Sequence, residues 1–150
     1  MRNGGEGLIR ITLDLAGDLY TEGIGQVLTR TGTFRVSAPP ADGTLENKVW
    51  SCLREEPEIL LLGVSLVDGY TVEQREELIR QVRQSLPGCR IVILVDERLS
   101  EATVTRVKQL KLTGAIDGFL FTSVSMEYLV AMLETVIDTK PNANQHNEKG

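Results

Sequence analysis

Acidic side chains stand near the ends of two apolar runs, where they could hold a divalent cation. Asp14 lies near the end of the first run, and Asp96 and Glu97 directly follow a later one, with Asp68 in the segment between. Mg²⁺ takes oxygen ligands, which usually include one or two carboxylates. The alternative, a solvated acidic loop at Asp96 and Glu97, is favoured.

No set of residues for nucleophilic or acid–base catalysis can be assembled. The only histidine, His146, lies in a polar C-terminal stretch, so a Ser/His/Asp arrangement lacks its base. Ser65 and Thr122, at strand ends, could be phosphorylated or bind a ligand, but such hydroxyls more often bond to local backbone. Cys52 and Cys89 show no CxxC or metal-binding spacing, which predicts two reduced structural thiols. We therefore expect no enzyme, no metal site and no cofactor.

The composition is that of an ordinary globular domain. Of 150 residues, 41% are hydrophobic and 25% charged, and the net charge of −5 argues against nucleic-acid binding by this chain itself. No apolar run approaches the ~18 residues of a membrane span, and nothing resembles a signal peptide. We expect a cytoplasmic protein without a membrane contact. Its organisation is predicted as a flexible N-terminus (1–7), one domain (8–139) and a linker or disordered tail (140–150).

An unbroken aliphatic run at residues 59–62 is the centre of the predicted fold. A strand without polar members must be covered on both faces, which is typical of a parallel sheet between helix layers. Residues 91–95 form a second such run. Between the two, residues 71–85 are predicted as a helix that begins with a capping box of Thr71 and Gln74.

Strand and helix patterns alternate five times along the chain. The predicted strands are 8–15, 34–38, 59–62, 91–95 and 119–121, and the predicted helices are 16–32, 44–56, 71–85, 100–112 and 125–138. Alternation of this kind predicts right-handed crossovers and a parallel sheet. We therefore predict an α/β fold, a flavodoxin-like (βα)5 doubly wound sandwich with strand order 2-1-3-4-5. Helical spacing predicts these inward side chains: Leu19, Ile24, Val27 and Leu28; Leu45, Val49, Trp50 and Leu53; Leu78, Ile79, Val82 and Leu86; Val104, Val107 and Leu110; Met126, Leu129, Val130, Leu133 and Ile137.

The pattern resembles a bacterial two-component receiver domain, especially the kind attached to LuxR-type helix-turn-helix regulators. The matching segments are 20–28, 57–62, 90–94 and 114–123, the last with one extra residue at Ile116, leading into 126–130. The resemblance extends over about residues 8–138. It implies a response-regulator module of a phosphorelay that controls transcription.

The residues that carry out the receiver reaction are replaced at the matching positions. The resemblance places the acidic Mg²⁺-binding pair at Leu15 and Ala16, and the phosphorylated aspartate at Gly63. The hydroxyl residue that senses the phosphoryl group falls on Val95, and the phosphate-pairing lysine on Thr122. An acyl phosphate needs a carboxylate to carry it. The resemblance therefore implies a pseudo-receiver with a degenerate phosphorylation pocket.

A shift of one residue in the first strand would alter part of this comparison. Asp14 would then point inward, and Asp18 also lies close by. Position 63 would still lack a carboxylate.

Charged residues on the last two helices form a candidate interaction face. Arg106, Lys108 and Lys111 are basic, whereas Glu134 and Asp138 are acidic. Receivers use this side for pairing, so the resemblance favours contact there, although a mixed solvated surface would look the same.

The sequence favours a phosphorylation-independent regulatory module that acts by binding. A homodimer or an output domain is the expected partner, with DNA binding only through a domain outside this chain. One alternative is a small-molecule sensor, because Leu15, Gly63, Val95 and Thr122 would line a more apolar strand-end crevice. Another is the receiver-like N-terminal module of an ATPase that localises pilus or secretion machinery.

Overall fold

The computed structural model of the chain describes residues 7–40 and 43–138. Of the predicted flexible N-terminus only residue 7 is included, and the predicted tail with His146 lies outside the described residues.

Five parallel strands form one sheet, in the order predicted from the sequence. They are β1 (Ile9–Asp14), β2 (Phe34–Ser37), β3 (Ile59–Val64), β4 (Arg90–Val95) and β5 (Gly118–Phe121), arranged β2-β1-β3-β4-β5. The helices that connect and follow them are α1 (Asp18–Arg30), α2 (Leu45–Glu55), α3 (Val72–Ser85), α4 (Glu101–Leu112) and α5 (Met126–Val136). The predicted doubly wound α/β fold is confirmed.

Both faces of the central strand are buried, as its aliphatic run requires. Ile59 and Leu61 pack with residues of α1 and α5, whereas Leu60 and Leu62 pack with residues of α2, α3 and α4. Successive side chains of a strand point to opposite faces, so one strand contributes to two separate core clusters. Side-chain caps begin α2, α3, α4 and α5, and α3 has the predicted capping box.

Helix α2 is rotated relative to the prediction. Trp50, predicted inward, is 64% exposed, and Leu45 is also exposed. Lys48, Ser51 and Cys52 face the sheet instead. The reason is electrostatic, because Lys48 pairs with a buried carboxylate at the sheet edge and turns the apolar ring of Trp50 outward.

Two further predictions of inward side chains were wrong. Leu19 is 86% exposed and Met126 is also exposed. Both lie in the first turn of their helices, and Leu19, five residues before Ile24, does not lie on the buried face of α1 that contains Ile24 and Leu28. Deeper residues on the same helices, such as Ile24 and Leu133, are buried as predicted.

No helix within residues 7–40 and 43–138 is long and apolar enough to cross a membrane.

Candidate functional site at the carboxyl edge of the sheet

The last residue of β1, Asp14, is a buried carboxylate. It lies beside Leu62 of β3 in the parallel register and is 4% exposed. Burial of an unpaired carboxylate is costly, so a group in this position must have cationic partners or lose its charge. Asp14 has two such partners, one from each of the helices α2 and α3.

The first partner is Arg75, one turn into α3, whose side chain is fully buried. Its Nη1 donates to Asp14 Oδ2 at 2.7 Å, and its Nη2 donates to the Asp14 backbone carbonyl. Its Nε donates to the Gly63 carbonyl at 2.8 Å. The planar fork of one guanidinium thus joins the ends of β1 and β3.

The second partner is Lys48 of α2, whose Nζ lies 3.2 Å from Asp14 Oδ1. The ring of Tyr70 contacts both cations, with its centroid 4.1 Å from Lys48 Nζ and 4.5 Å from Arg75 Cζ. A cation close to an aromatic ring is attracted by the electrons of the ring face. We call Asp14, Lys48, Tyr70 and Arg75 the charge cluster.

The loop that carries Tyr70 is closed by its own hydrogen bonds. The Ser65 amide donates to the Tyr70 carbonyl, and the Val67 amide donates to Ser65 Oγ, at 3.0 and 3.1 Å. Gln74 Oε1 accepts from the amide of Gly69, and Gln74 Nε2 donates to Asp68 Oδ1. Ser65 therefore bonds to local backbone, in agreement with the structural role favoured by the sequence.

Gly63 has little room for a side chain. A Cβ at this position would lie 3.3 Å from Leu15 Cδ2, 3.4 Å from Leu15 Cα and 3.7 Å from the Ala16 amide nitrogen. The structure therefore brings together three of the positions predicted for the degenerate pocket, 15, 16 and 63. Leu15 fills the space that a longer residue at position 63 would need.

The other two predicted pocket positions lie farther along the same edge. Val95 ends β4 in full burial, and its carbonyl accepts from the amide of Thr122, an exposed residue, at 3.0 Å. Neither belongs to the charge cluster.

The acidic loop after β4 is occupied by local contacts. Asp96 accepts hydrogen bonds from the guanidinium of Arg98 and, with a smaller effect, from its backbone amide, and these lower the pKa of its carboxyl to about 2. Glu97 accepts from Ser123 Oγ at 2.7 Å. Asp68 is bonded to Gln74 as described above, and Asp14 to its two cations. Each carboxylate that was considered for a shared cation site therefore already binds a different group of the protein.

The residues at this edge do not fit a Mg²⁺ ion. Such an ion would need free carboxylate oxygens, and both oxygens of Asp14 already contact cationic nitrogens. Within the described parts of the chain, no group of three or more His, Cys, Asp and Glu residues could hold a metal. The cationic charge next to Asp14 is supplied by Lys48 and Arg75.

Lys48 and Arg75 were missed in the sequence, although the pattern contained a signal for one of them. Arg75 lies three and four residues before the predicted inward residues Leu78 and Ile79, so it continues their stripe toward the start of α3. A charged residue on the buried face of a helix needs a partner of opposite charge. Lys48 gave no comparable signal, because the apolar residues of α2 suggested a different inward face.

One residue of the candidate interaction face, Arg106, already forms an ion pair within the chain. Arg106 binds the carboxylate of Glu76 on α3 through two nitrogens, each at 2.7 Å. Lys108, Lys111 and Asp138 are exposed, and Glu134 is half-buried. Whether this face binds a partner stays a prediction.

A cavity of about 730 Å³ lies between α2 and α3, above the charge cluster. Its lining includes Lys48, Tyr70 and Arg75 of the charge cluster, together with Thr44 and Gln74. It is not lined by Gly63, Val95 or Thr122, so it differs from the crevice predicted from the sequence.

No protein-family model matches the sequence, and no curated protein matches it. Among solved structures, a DNA-binding response regulator of the LuxR family from Staphylococcus aureus is similar, with a TM-score of 0.69 and 15% identity over 87% of this chain and 100% of that chain. The chain has the receiver fold.

Two further structures have the same fold. A two-component response regulator of the LuxR family from Aurantimonas sp. SI85-9A1 gives a TM-score of 0.67 with 19% identity, over 93% of this chain and 94% of that chain. The chemotaxis protein CheY4 of Vibrio cholerae gives a TM-score of 0.66 with 16% identity, over 87% of this chain and 99% of that chain. These three structures, two response regulators and a chemotaxis protein, share the receiver fold with this chain.

Proposed function

We propose that this chain is a pseudo-receiver, a regulatory module of a response regulator that works without phosphorylation. The observation that carries the proposal is the Arg75 guanidinium, which bonds to Asp14 and to the Gly63 carbonyl. This places a protein cation between the strand ends where the receiver resemblance puts the Mg²⁺ pair and the phosphorylated aspartate.

Three features of the site support phosphorylation independence. Position 63 has no carboxylate to form an acyl phosphate. The carboxylate of Asp14 is committed to two cations, and exchange of these for Mg²⁺ would leave Lys48 and Arg75 buried without an anion. Leu15 occupies the space next to Gly63. A change at a single position would not restore the reaction.

The module is proposed to act by binding, and not as an enzyme. Its partner would be a second copy or an output domain, and contact with DNA would take place through a domain outside this chain. The LuxR-family neighbours support this role in the control of transcription. The cytoplasm is the location we propose.

Incubation with acetyl phosphate and Mg²⁺, followed by intact-mass spectrometry, tests the proposal. We expect no added phosphoryl mass, under conditions in which a receiver that retains its acceptor aspartate is modified. A stoichiometric aspartyl phosphate on this chain would overturn the proposal.

The cavity between α2 and α3 favours a second candidate function, the sensing of a small molecule. Its volume of about 730 Å³ lies within the range of roughly 300–1,000 Å³ typical of ligand sites. A thermal-shift screen of metabolites tests it, with Thr44→Trp as a variant that narrows the cavity. A ligand that stabilises the wild type and not the variant would support sensing, whereas equal shifts or none would count against it.

A further inference from the structure

The two edges of the sheet differ in charge because all five helices run in the same direction. Each helix begins at the carboxyl edge, which we call the upper edge, and ends at the lower edge. The first turns are acidic, with Asp18, Glu46, Glu73, Glu101 and Glu127. In the last turns, Arg54 pairs with Glu55 and Arg83 with Asp117, whereas Lys111 at the end of α4 has no ion pair within residues 7–40 and 43–138. Each acidic residue of a first turn and each basic residue of a last turn interacts favourably with the dipole of its own helix. The acidic first turns together make the upper edge acidic.

The upper edge also displays apolar side chains. Leu66 is 79% exposed, and its neighbour Val67 and Leu19 of α1 are exposed as well. Asp18 precedes Leu19 and Asp68 follows Val67, so carboxylates flank these side chains. We call Leu66, Val67 and Asp68, which are consecutive residues of the loop after β3, the upper patch. The hydrogen bonds that close the loop after β3 hold Leu66 and Val67 in place, which lowers the entropy lost when a partner binds.

The lower end of α4 has the complementary character. Leu112 is 84% exposed, with Lys111 beside it and Lys108 one turn earlier on the same helix face. Neither lysine forms an ion pair with any residue in 7–40 or 43–138. We call Lys108, Lys111 and Leu112 the lower patch. The acidic end of α5, with Glu134 and Asp138, lies on the other face of the sheet and is not part of it.

We propose that copies of this chain associate head to tail, with the upper patch of one copy against the lower patch of the next. The inference deepens the proposed function by naming its partner, and it rests on that function. Apolar side chains meet apolar side chains in this contact, and carboxylates meet free ammonium groups, which orients the approach. Since the two surfaces are different, each copy can contact two others, and the assembly extends beyond two copies as a ring or an open chain, depending on the rotation between copies.

The charges of the upper patch favour a second copy over an anionic partner. Nucleic acid or an anionic membrane would be repelled by Asp18, Asp68 and the acidic first turns around them. The matching basic and apolar surface is present on this chain itself, in the lower patch.

Sedimentation velocity over a range of protein concentrations tests the association. We expect the average mass to rise above the monomer value of 16.6 kDa with concentration, and to fall when salt is added. A chain that stays monomeric at every concentration would overturn the proposal. The sedimentation result does not depend on whether acetyl phosphate modifies the chain. A failure of the association can therefore be distinguished from a failure of the proposed function.

Two variants, each altered in one patch, show whether the contact joins different surfaces. Leu66→Lys and Lys111→Glu should each be monomeric alone, because every contact needs one intact patch of each kind. Mixed together they should form a complex of twice the monomer mass, since each supplies the patch that the other lacks. Charge-matched controls at exposed positions, Gln26→Lys and Arg35→Glu, should associate like the wild type. A symmetric dimer uses one patch on both copies, so the variant altered in the other patch would remain dimeric alone, and that result would also overturn the proposal.

Discussion

The Nε of Arg75 donates a 2.8 Å hydrogen bond to the carbonyl of Gly63, and the same guanidinium pairs with Asp14. One side chain from α3 therefore links the ends of the two strands at the centre of the sheet. Removal of the charge from either partner would leave the other buried without compensation. The pair of Asp14 and Arg75 thus stabilises the fold at the position where the receiver resemblance places the phosphorylation reaction.

Asp14→Asn should destabilise the fold by about 3–5 kcal/mol, the usual cost of breaking a buried ion pair. Two buried cations, Lys48 and Arg75, would lose their anion. Urea denaturation measures the loss. Asp138→Asn makes the same chemical change at an exposed site and should leave the midpoint unchanged. Equal midpoints for the two variants would show that the charge cluster does not hold the strands together.

Gly63→Ala should lose roughly 1–3 kcal/mol of stability, because the added Cβ would press at 3.3 Å on Leu15, which is buried in the core and has little room to move. Gly23→Ala is the matched control. A Cβ at position 23 meets nothing within 4 Å inside α1, so helix propensity predicts a gain of about 0.5–1 kcal/mol. Opposite signs in urea denaturation are expected, and a stabilising Gly63→Ala would contradict the packing described here.

Trp50 should be open to collisional quenchers in the native protein. It is the only tryptophan, and it is exposed because Lys48 takes the inward position on α2. Acrylamide quenching of its fluorescence should therefore be nearly as efficient in the folded protein as in urea. Strong protection in the folded state would mean that α2 has the rotation predicted from its apolar residues.

The two thiols should make stability fall at high pH. Burial, followed by a smaller effect of Asp14 on Cys52 and of Cys52 on Cys89, raises the pKa of both thiols from 9.0 to about 12. Between these values the unfolded thiols lose protons that the folded thiols keep, so the stability present below pH 9 declines above it, by about 1.4 kcal/mol per pH unit for each thiol.

Cys52→Ala provides the comparison for this effect, because the other groups that titrate in that range are shared with the wild type. Urea denaturation at a series of pH values should show a shallower decline for the variant. Identical slopes for the two proteins would rule out a contribution from Cys52.

Hydrophobic pattern was sufficient to predict the sheet. The run 59–62 had to be covered on both faces, and the alternation of strands and helices left few topologies, of which the predicted order proved right. The capping box at the start of α3 was also predictable, since Thr71 and Gln74 are only three residues apart in sequence. Local patterns of this kind can be recognised without knowledge of distant contacts.

The charge cluster could not be predicted in this way, because its members meet only after folding. Asp14 and Arg75 are 61 residues apart in sequence. The rotation of α2 depends on the same contact, because Lys48 turns inward only when a buried carboxylate is present. Hydrophobic spacing alone therefore assigned Trp50 to the wrong face.

A titration with Mn²⁺, followed by NMR, tests most directly whether Arg75 and Lys48 stand in the place of a bound metal. Mn²⁺ suits the same oxygen ligands as Mg²⁺ and broadens the signals of nearby nuclei. The account predicts that the amide signals of Asp14, Leu15 and Gly63 broaden no more than those of exposed acidic loops. Selective, saturable broadening of these three signals would show a metal site at the sheet edge and contradict the account.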